Sequence, residues 1–266
     1  MKKTAVVLLS VAIFFLNACF YIRVDYPFEE GRAPVEEYRK NVPFPMGGTL
    51  SLENGSGDIE IHGWEQEELA VYAEKTIQLP DRTRFYVFPR GDFAPGIVFD
   101  RFENFVKIRT KSSVENKTMS FVDYAIDVPH SINLKDIMLE MGNITVTQVY
   151  GDAYLELLEG DIAIDGFSGS LTASVELGSV TASLFDLRDE DEIVIASKEG
   201  DITLSLTEDT NAYIEVLFPE GEFSCDFAFE ESLDEKKAGI QLGENGSRIF
   251  LTALKGNVWI YKMTKN

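Results

Sequence analysis

The chain has 266 residues, enough for one large domain or two small ones, and its 45% hydrophobic content is sufficient to form a core. Its charge is unusual, because 45 acidic side chains against 24 basic ones give a formal net charge of −21. This excess argues against binding to nucleic acid or to anionic lipid by charge, since both depend on Lys and Arg. It favours solubility or cationic partners.

The N-terminus has the pattern of a bacterial lipoprotein signal peptide. Two lysines precede an apolar stretch over residues 4–16, which is shorter than a transmembrane helix but suits a signal-peptide core. The stretch ends in Leu16-Asn-Ala-Cys19, which resembles a lipobox apart from its asparagine. We therefore predict a signal peptide over residues 1–18 and lipidation of Cys19, with a plain secretory signal as the alternative.

A lipidated Cys19 implies an extracytoplasmic protein held in the cell envelope by two acyl chains. Phe20 directly after it favours the outer membrane if the cell has two membranes. The other cysteine, Cys225, then has no intrachain partner, and the alternating pattern of Phe223–Phe229 predicts a strand that holds a buried thiol. Residues 19–46 contain four prolines among charged residues and predict a tether between lipid and domain.

Glycines recur every nine residues from position 142 to position 178, and each opens a similar phrase. In each phrase Asp, Asn or Ser follows the glycine, and apolar residues occupy the second and fourth positions after it. Such a pair of residues is typical of a corner in which the glycine adopts a positive φ and the next side chain accepts hydrogen bonds from N–H groups of the same turn. Related phrases at Gly57, Gly200 and Gly256 fall outside this register. The apolar positions share one strand face and predict a core made of Ile144, Val146, Ile162, Ile164, Val180, Ala182, Ile202 and Leu204.

Two such phrases would form one coil, since similar phrases at a fixed period stack as ladders. We predict an all-β fold, a right-handed β-solenoid with about 18–22 residues per coil, whose repeats occupy residues 141–266. Residues 47–140 are assigned to an N-terminal β region with an irregular, aromatic-rich cap over 77–121, and 47–266 to one continuous domain. A binding patch is the alternative for 77–121. An antiparallel meander or sandwich, in which each glycine closes a hairpin, is the alternative fold.

Three segments carry a family resemblance: Gly48–Trp64, Val122–Pro129 and Gly246–Ile260, with the Gly-Asp-Ile phrases between them. In this order they resemble the bacterial putative-adhesin family of β-strand-repeat envelope proteins. The resemblance covers roughly residues 47–262, apart from a stretch near 80–118. It implies an extracytoplasmic β-helical domain of unknown function without established catalytic residues.

The sequence contains few candidates for catalysis or metal binding. His62 and His130 are the only histidines, and neither has a Ser, Cys or acidic partner at motif spacing, so both are interpreted as turn residues. Residues 186–192 predict a protruding, solvated acidic loop, with a calcium-stabilised loop as the alternative, and 230–237 predict a second charged loop. The acidic residues after corner glycines are interpreted as turn caps: Asp58, Asp152, Asp161 and Asp201.

These patterns predict no catalytic residue, no metal site and no cofactor. We expect a lipid-anchored, extracytoplasmic β-solenoid that acts as a non-catalytic binding or adhesin-like module, with the membrane as partner through Cys19 and an envelope protein or glycan as ligand. An accessory role in envelope-stress sensing is the alternative. A polysaccharide-acting β-helix enzyme ranks lower, because the basic residues after position 141 are sparse and fall mostly in loops or near the C-terminus.

Overall fold

A computed structural model describes residues 20–22, 32–78, 86–88, 95–111, 120–228, 236–244 and 246–264. Within these residues all regular secondary-structure elements are β-strands. In chain order the strands are β1 Phe20–Ile22, β2 Arg32–Pro43, β3 Thr49–Ser56, β4 Ile59–Trp64, β5 Glu68–Gln78, β6 Tyr86–Phe88, β7 Gly96–Phe102, β8 Phe105–Lys111, β9 Ser120–Pro129, β10 Asn133–Met141, β11 Ile144–Thr147, β12 Ala153–Glu159, β13 Ile162–Phe167, β14 Leu171–Leu177, β15 Val180–Leu184, β16 Glu192–Glu199, β17 Ile202–Thr207, β18 Ala212–Leu217, β19 Phe223–Cys225, β20 Lys237–Leu242, β21 Ser247–Lys255 and β22 Val258–Met263.

The strands form two ten-stranded sheets, besides a separate pair made of β1 and β6. The first sheet has the order β20-β18-β21-β16-β14-β12-β10-β3-β8-β7. The second has the order β19-β22-β17-β15-β13-β11-β4-β9-β5-β2. One coil consists of a strand of the first sheet, a corner and a strand of the second sheet, as in β12 and β13.

Parallel pairing between coils confirms the predicted solenoid and excludes the meander. Ile162 is paired in parallel with Ile144 on one side and with Val180 on the other, each 18 residues away. The next step along the same row, from Val180 to Ile202, takes 22 residues. The extra residues lie in the loop between β15 and β16, so a longer coil keeps the same register.

The core lies between the two sheets, because alternate residues of each strand point inwards. In β13, Ile162 and Ile164 are buried whereas Ala163 and Asp165 between them are exposed. All eight residues predicted for this core are buried, with 2% or less of their surface exposed: Ile144, Val146, Ile162, Ile164, Val180, Ala182, Ile202 and Leu204.

The corners between the sheets require glycine for two reasons. Gly160 has a φ of +129°, and a methyl group added to it would lie 1.8 Å from the carbonyl oxygen of Gly142. Gly178 repeats this geometry against Gly160. The phrases at Gly57, Gly200 and Gly256 were predicted to be out of register, but they join the same column, because the insertions before them leave the corner unchanged. From one end to the other the column contains Gly57, Gly142, Gly160, Gly178, Gly200, Gly256 and Gly221.

At most corners of this column, the polar residue after the glycine accepts a hydrogen bond from the neighbouring coil. Asn143 accepts a hydrogen bond through Oδ1 from the backbone N–H of Asp161 at 3.1 Å, and Asp161 accepts one from Ser179 at 2.8 Å. The prediction of bonds within the same turn is therefore wrong, because stacking brings the next coil's N–H closer. We call this series the corner ladder; its acceptors are Asp123, Asp58, Asn143, Asp161, Ser179, Asp201 and Asn257.

Spatial order departs from chain order at both ends of the solenoid. The coil of β8 and β9 stacks outside that of β3 and β4, although it follows it in the chain. At the other end, β21 and β22 stack between the coil of β16 and β17 and the last parallel strands, β18 and β19. Phe105–Lys111, which lies in the segment interpreted as a cap, is thus a strand of a coil. Antiparallel strands β7, β5, β2 and β20 complete the edges.

Two segments differ from the sequence-based predictions. Arg32–Pro43, within the predicted tether, is a strand that pairs antiparallel with β5 at the edge of the second sheet. An edge strand tolerates prolines, because one of its sides needs no N–H donors. The strand predicted over Phe223–Phe229 ends at Cys225, after which the N–H of Asp226 still donates to the carbonyl of Ile260.

Candidate functional site

A groove runs along the solenoid on the outer face of the first sheet. Its floor consists of small side chains, Ser174, Ala196 and Thr252, which are paired in register on β14, β16 and β21. Leu158 and Leu254 stand along the side nearest the corner glycines and are 53% and 41% exposed. The groove has a volume of about 820 Å³. We call it the axial groove, because it crosses the strands instead of following one.

The axial groove is acidic. Four glutamates line it, whereas Lys198 is the sole cation among the described residues of its lining. Lys198 already donates to Glu176, and this hydrogen bond raises the pKa of the lysine above its ordinary value. Glu53 is paired with Lys107. The other two carboxylates belong to Glu140 and Glu156.

Glu140 and Glu156 are the carboxylates available to a ligand. Both side chains are exposed. Glu156 accepts a hydrogen bond from the hydroxyl of Tyr154 at 3.3 Å, and its negative charge raises the pKa of that tyrosine. No ion pair to Glu140 is formed by the described residues. The groove therefore offers apolar contact on one side and uncompensated negative charge on its floor and rim.

A second hollow continues the groove towards the end of the first sheet that carries β18 and β20. It has a volume of about 380 Å³ and shares Thr252 with the axial groove. Tyr213, Phe250 and Leu217 contribute apolar surface there, and Lys237 contributes a positive charge. This end is thus more aromatic and less acidic than the main groove.

The two histidines have acidic neighbours that sequence spacing does not show. The Nδ1 atom of His62 lies 3.2 Å from Oδ1 of Asp127, which occupies the paired position on β9. His130 places Nδ1 2.8 Å from the carbonyl oxygen of Gln148 and Nε2 3.3 Å from Glu65. Neither histidine lines the axial groove. His62 lies inside β4 and not in a turn as predicted, whereas His130 directly follows β9, and the contacts of both result from the stacking of strands.

The other residues singled out from the sequence lie elsewhere. Cys225 is half-buried against the core, where it was predicted to be buried, and burial raises the pKa of its thiol. The acidic segment 186–192 is not wholly solvated, because Asp191 is buried and bonded to the guanidinium and the N–H of Arg188. Cys19 lies outside the described residues.

The described residues contain no cluster of three or more His, Cys, Asp or Glu side chains arranged to hold a metal ion. In the same part of the chain, no helix has the length and apolar character needed to cross a membrane.

Sequence reasoning missed the axial groove. Its signal was present, because Glu140, Glu156 and Glu176 all occupy outward positions on the neighbouring strands β10, β12 and β14. The inward positions are more conspicuous in the sequence, because they are apolar. Whether outward residues line a continuous groove depends on the sizes of the side chains beside them on adjacent coils.

Residues 46–260 match the family model Toastrack DUF4097. No curated protein matches the chain at a significant level. Among solved structures, a putative cell adhesion protein from Clostridium sporogenes ATCC 15579 is similar, with 14% identity, a TM-score of 0.49, and coverage of 87% of this chain and 100% of that one. A putative adhesin from Bacteroides fragilis NCTC 9343 has 12% identity, a TM-score of 0.40, and coverage of 86% and 97%. A putative lipid binding protein from Parabacteroides distasonis ATCC 8503 has 13% identity, a TM-score of 0.26, and coverage of 85% and 96%.

Proposed function

The chain belongs to the Toastrack DUF4097 family, and we propose that it is a lipid-anchored, extracytoplasmic, non-catalytic binding module that takes its ligand in the axial groove. The observation that carries this proposal is the groove itself, a hollow of about 820 Å³ built on paired strands of successive coils. Ligand sites are concave and combine apolar surface with a few polar groups, as this groove does.

The scaffold supports binding more than catalysis. Side chains of the groove floor stand on strands that are hydrogen-bonded on both sides, so the surface is held without a ligand. Among its described residues, the groove lining combines carboxylates with small and aliphatic side chains, and its one cation, Lys198, is engaged by Glu176. The described residues of this lining include no His or Cys, the usual base and an efficient nucleophile of acyl transfer.

The anchor is proposed from the sequence. The Leu16-Asn-Ala-Cys19 segment supports lipidation of Cys19, and two acyl chains are enough for stable attachment to a membrane. With this anchor the domain would hold the groove close to the membrane surface, on the extracytoplasmic side.

Metabolic labelling tests the anchor. Cells that produce the full chain are grown with radioactive palmitate, and the protein is isolated and counted. Cys19→Ser should remove the label, whereas Cys225→Ser, the matched loss of the other cysteine, should leave it unchanged. Label that persists in Cys19→Ser would show that the anchor is elsewhere or absent.

Site-specific photo-crosslinking on intact cells tests the groove. A photoreactive amino acid is placed at Ser174 on the groove floor, or at Thr181 on the outward face of the second sheet in the same coil. Adducts at Ser174 and none at Thr181 are expected. Equal adducts at both positions, or none at Ser174, would contradict binding through the groove.

A further inference from the structure

The charge of the axial groove restricts what it can bind. Glu140 and Glu156 are exposed and free of ion pairs with described residues, and the lining cation Lys198 is held by Glu176. The whole chain carries a formal charge of −21, which reinforces the local potential. An anionic polymer would be repelled from this surface, and a neutral one would leave the carboxylates without partners.

The length of the groove indicates an extended ligand. Most of its lining comes from six adjacent strands of the first sheet, β3, β10, β12, β14, β16 and β21, and the rest includes Pro95, Thr110 and Ser120. Neighbouring strands lie about 4.8 Å apart, so the groove is about 24 Å long. An extended polypeptide advances about 3.4 Å per residue, and about seven residues would fill this length.

Apolar and charged side chains share one outward row of the groove. Across β10, β12, β14, β16 and β21 this row contains Glu140, Leu158, Glu176, Lys198 and Leu254. A ligand that satisfies both kinds of contact must carry aliphatic and cationic groups along one edge. Small floor residues such as Ala196 leave room for a backbone to approach the sheet.

We infer that the axial groove binds an extended polypeptide segment that carries Lys or Arg and apolar side chains on the same face, at every second residue. The inference rests on the proposed function, because it names the ligand class of the same groove. Charged groups of the segment would pair with Glu140 and Glu156, and its apolar groups would cover Leu158 and Leu254. Electrostatic complementarity of this kind accelerates association and makes it sensitive to salt.

Fluorescence anisotropy of the purified full chain with the labelled nonapeptide Lys-Ser-Leu-Ser-Lys-Ser-Leu-Ser-Lys, which carries Lys and Leu on one face when extended, tests the inference. A Glu–Leu nonapeptide of the same pattern and a neutral N-acetylglucosamine oligomer serve as competing ligand classes. The Lys–Leu peptide should bind, and the other two should not displace it. The double variant Glu140→Gln/Glu156→Gln should weaken binding at least tenfold, while denaturation midpoints show that it remains folded.

The matched control makes the same change of net charge away from the groove. Glu60→Gln/Glu67→Gln removes two exposed carboxylates from the strand β4 and the turn after it, and should weaken binding less than twofold. Equal weakening by both pairs would reduce the interaction to attraction by net charge and overturn the inference. Absence of binding, or displacement by the oligosaccharide, would overturn it too.

The crosslinking result distinguishes a wrong ligand class from a wrong binding site. If Ser174 captures a ligand on cells while the Lys–Leu peptide fails to bind or to compete, the ligand class is wrong and the groove remains the binding site. If crosslinks are absent from Ser174 but the peptide binds in the manner described, the groove recognises basic segments without serving as the cellular binding site. If both fail, neither statement stands.

Discussion

At the scale of single residues, the most informative feature is how one side chain joins two coils. Asp161 uses its Oδ1 atom to accept the N–H of Ser179, while its own N–H donates to Asn143. These N–H groups belong to the corner, where the sheet ladders are interrupted. The corner ladder therefore supplies hydrogen-bond acceptors to groups that would otherwise depend on water.

The corner ladder needs an acceptor oxygen at Asp161 and not a negative charge. Asp161→Asn keeps that oxygen and should leave stability within about 0.5 kcal/mol of the parent. Asp161→Ala removes it and should cost about 1 kcal/mol. Urea denaturation midpoints measure both. Equal losses for Asn and Ala would show that the charge matters instead.

Tyr124 makes stability depend on alkaline pH. Burial, partly offset by a hydrogen bond with Thr110, raises the pKa of this phenol from 10.0 to about 12. The folded state therefore binds the proton more tightly than the unfolded state does. The resulting stabilisation is complete below about pH 10 and is lost as pH rises towards 12, by about 3 kcal/mol in total.

Denaturation midpoints measured between pH 9 and pH 12 (roughly one point per half unit) check this dependence. Tyr124→Phe should flatten the decline over that window. Tyr72→Phe, on the partly exposed face of β5, should leave the decline as it is. A decline of equal steepness in all three proteins would assign the loss to other groups.

At the scale of elements, each coil is a unit whose corner must pass close to the next one. The backbones approach so closely at the glycine column that no side chain fits between Gly160 and the carbonyl of Gly142. Tight stacking there brings the strands of both sheets into register at once. One corner therefore controls pairing in two sheets.

Gly160→Ala tests the corner. The substitution combines a positive φ with a contact of 1.8 Å, and should cost at least about 3 kcal/mol. Gly47→Ala is the matched control, because Gly47 has a φ of +73° but open space around it, so it should cost only about 1 kcal/mol. Thermal and urea unfolding measure both variants. Similar costs would mean that close approach of the coils contributes little.

At the scale of the whole molecule, negative charge is the dominant feature. The few ion pairs on the first sheet, such as Lys198–Glu176 and Lys255–Glu199, are exposed and contribute little each. Repulsion among the remaining carboxylates acts over the whole solenoid and is screened by salt. Net repulsion therefore outweighs the ion pairs.

Sodium chloride should accordingly stabilise the fold. Raising it from about 10 mM to about 500 mM should increase the free energy of unfolding by roughly 1 kcal/mol, since the Debye length falls below the spacing of most surface charges. Chemical denaturation with urea, which is uncharged, measures this. A decrease in stability with salt would show that the ion pairs dominate.

The solenoid could be predicted from the sequence because its signals are local. A glycine, a short polar residue and two apolar residues at alternate positions define a corner and an inward face within five residues, as at Gly160–Ile164. The confirmed family resemblance adds the order of these phrases. The lipid anchor at Cys19, the division into domains and the nature of the ligand stay predictions.

Only the tertiary structure decided which coils are neighbours. The position of the axial groove depends on that decision. The N–H that Asp161 serves, the strand formed by Arg32–Pro43, the burial of Asp191 and the position of β21 next to β16 all depend on pairing between distant segments. A strand edge can accept any later strand of matching pattern, so local sequence leaves that choice open. The axial groove follows from this choice, because its floor and rim are outward side chains of six strands whose order is not the order of the chain.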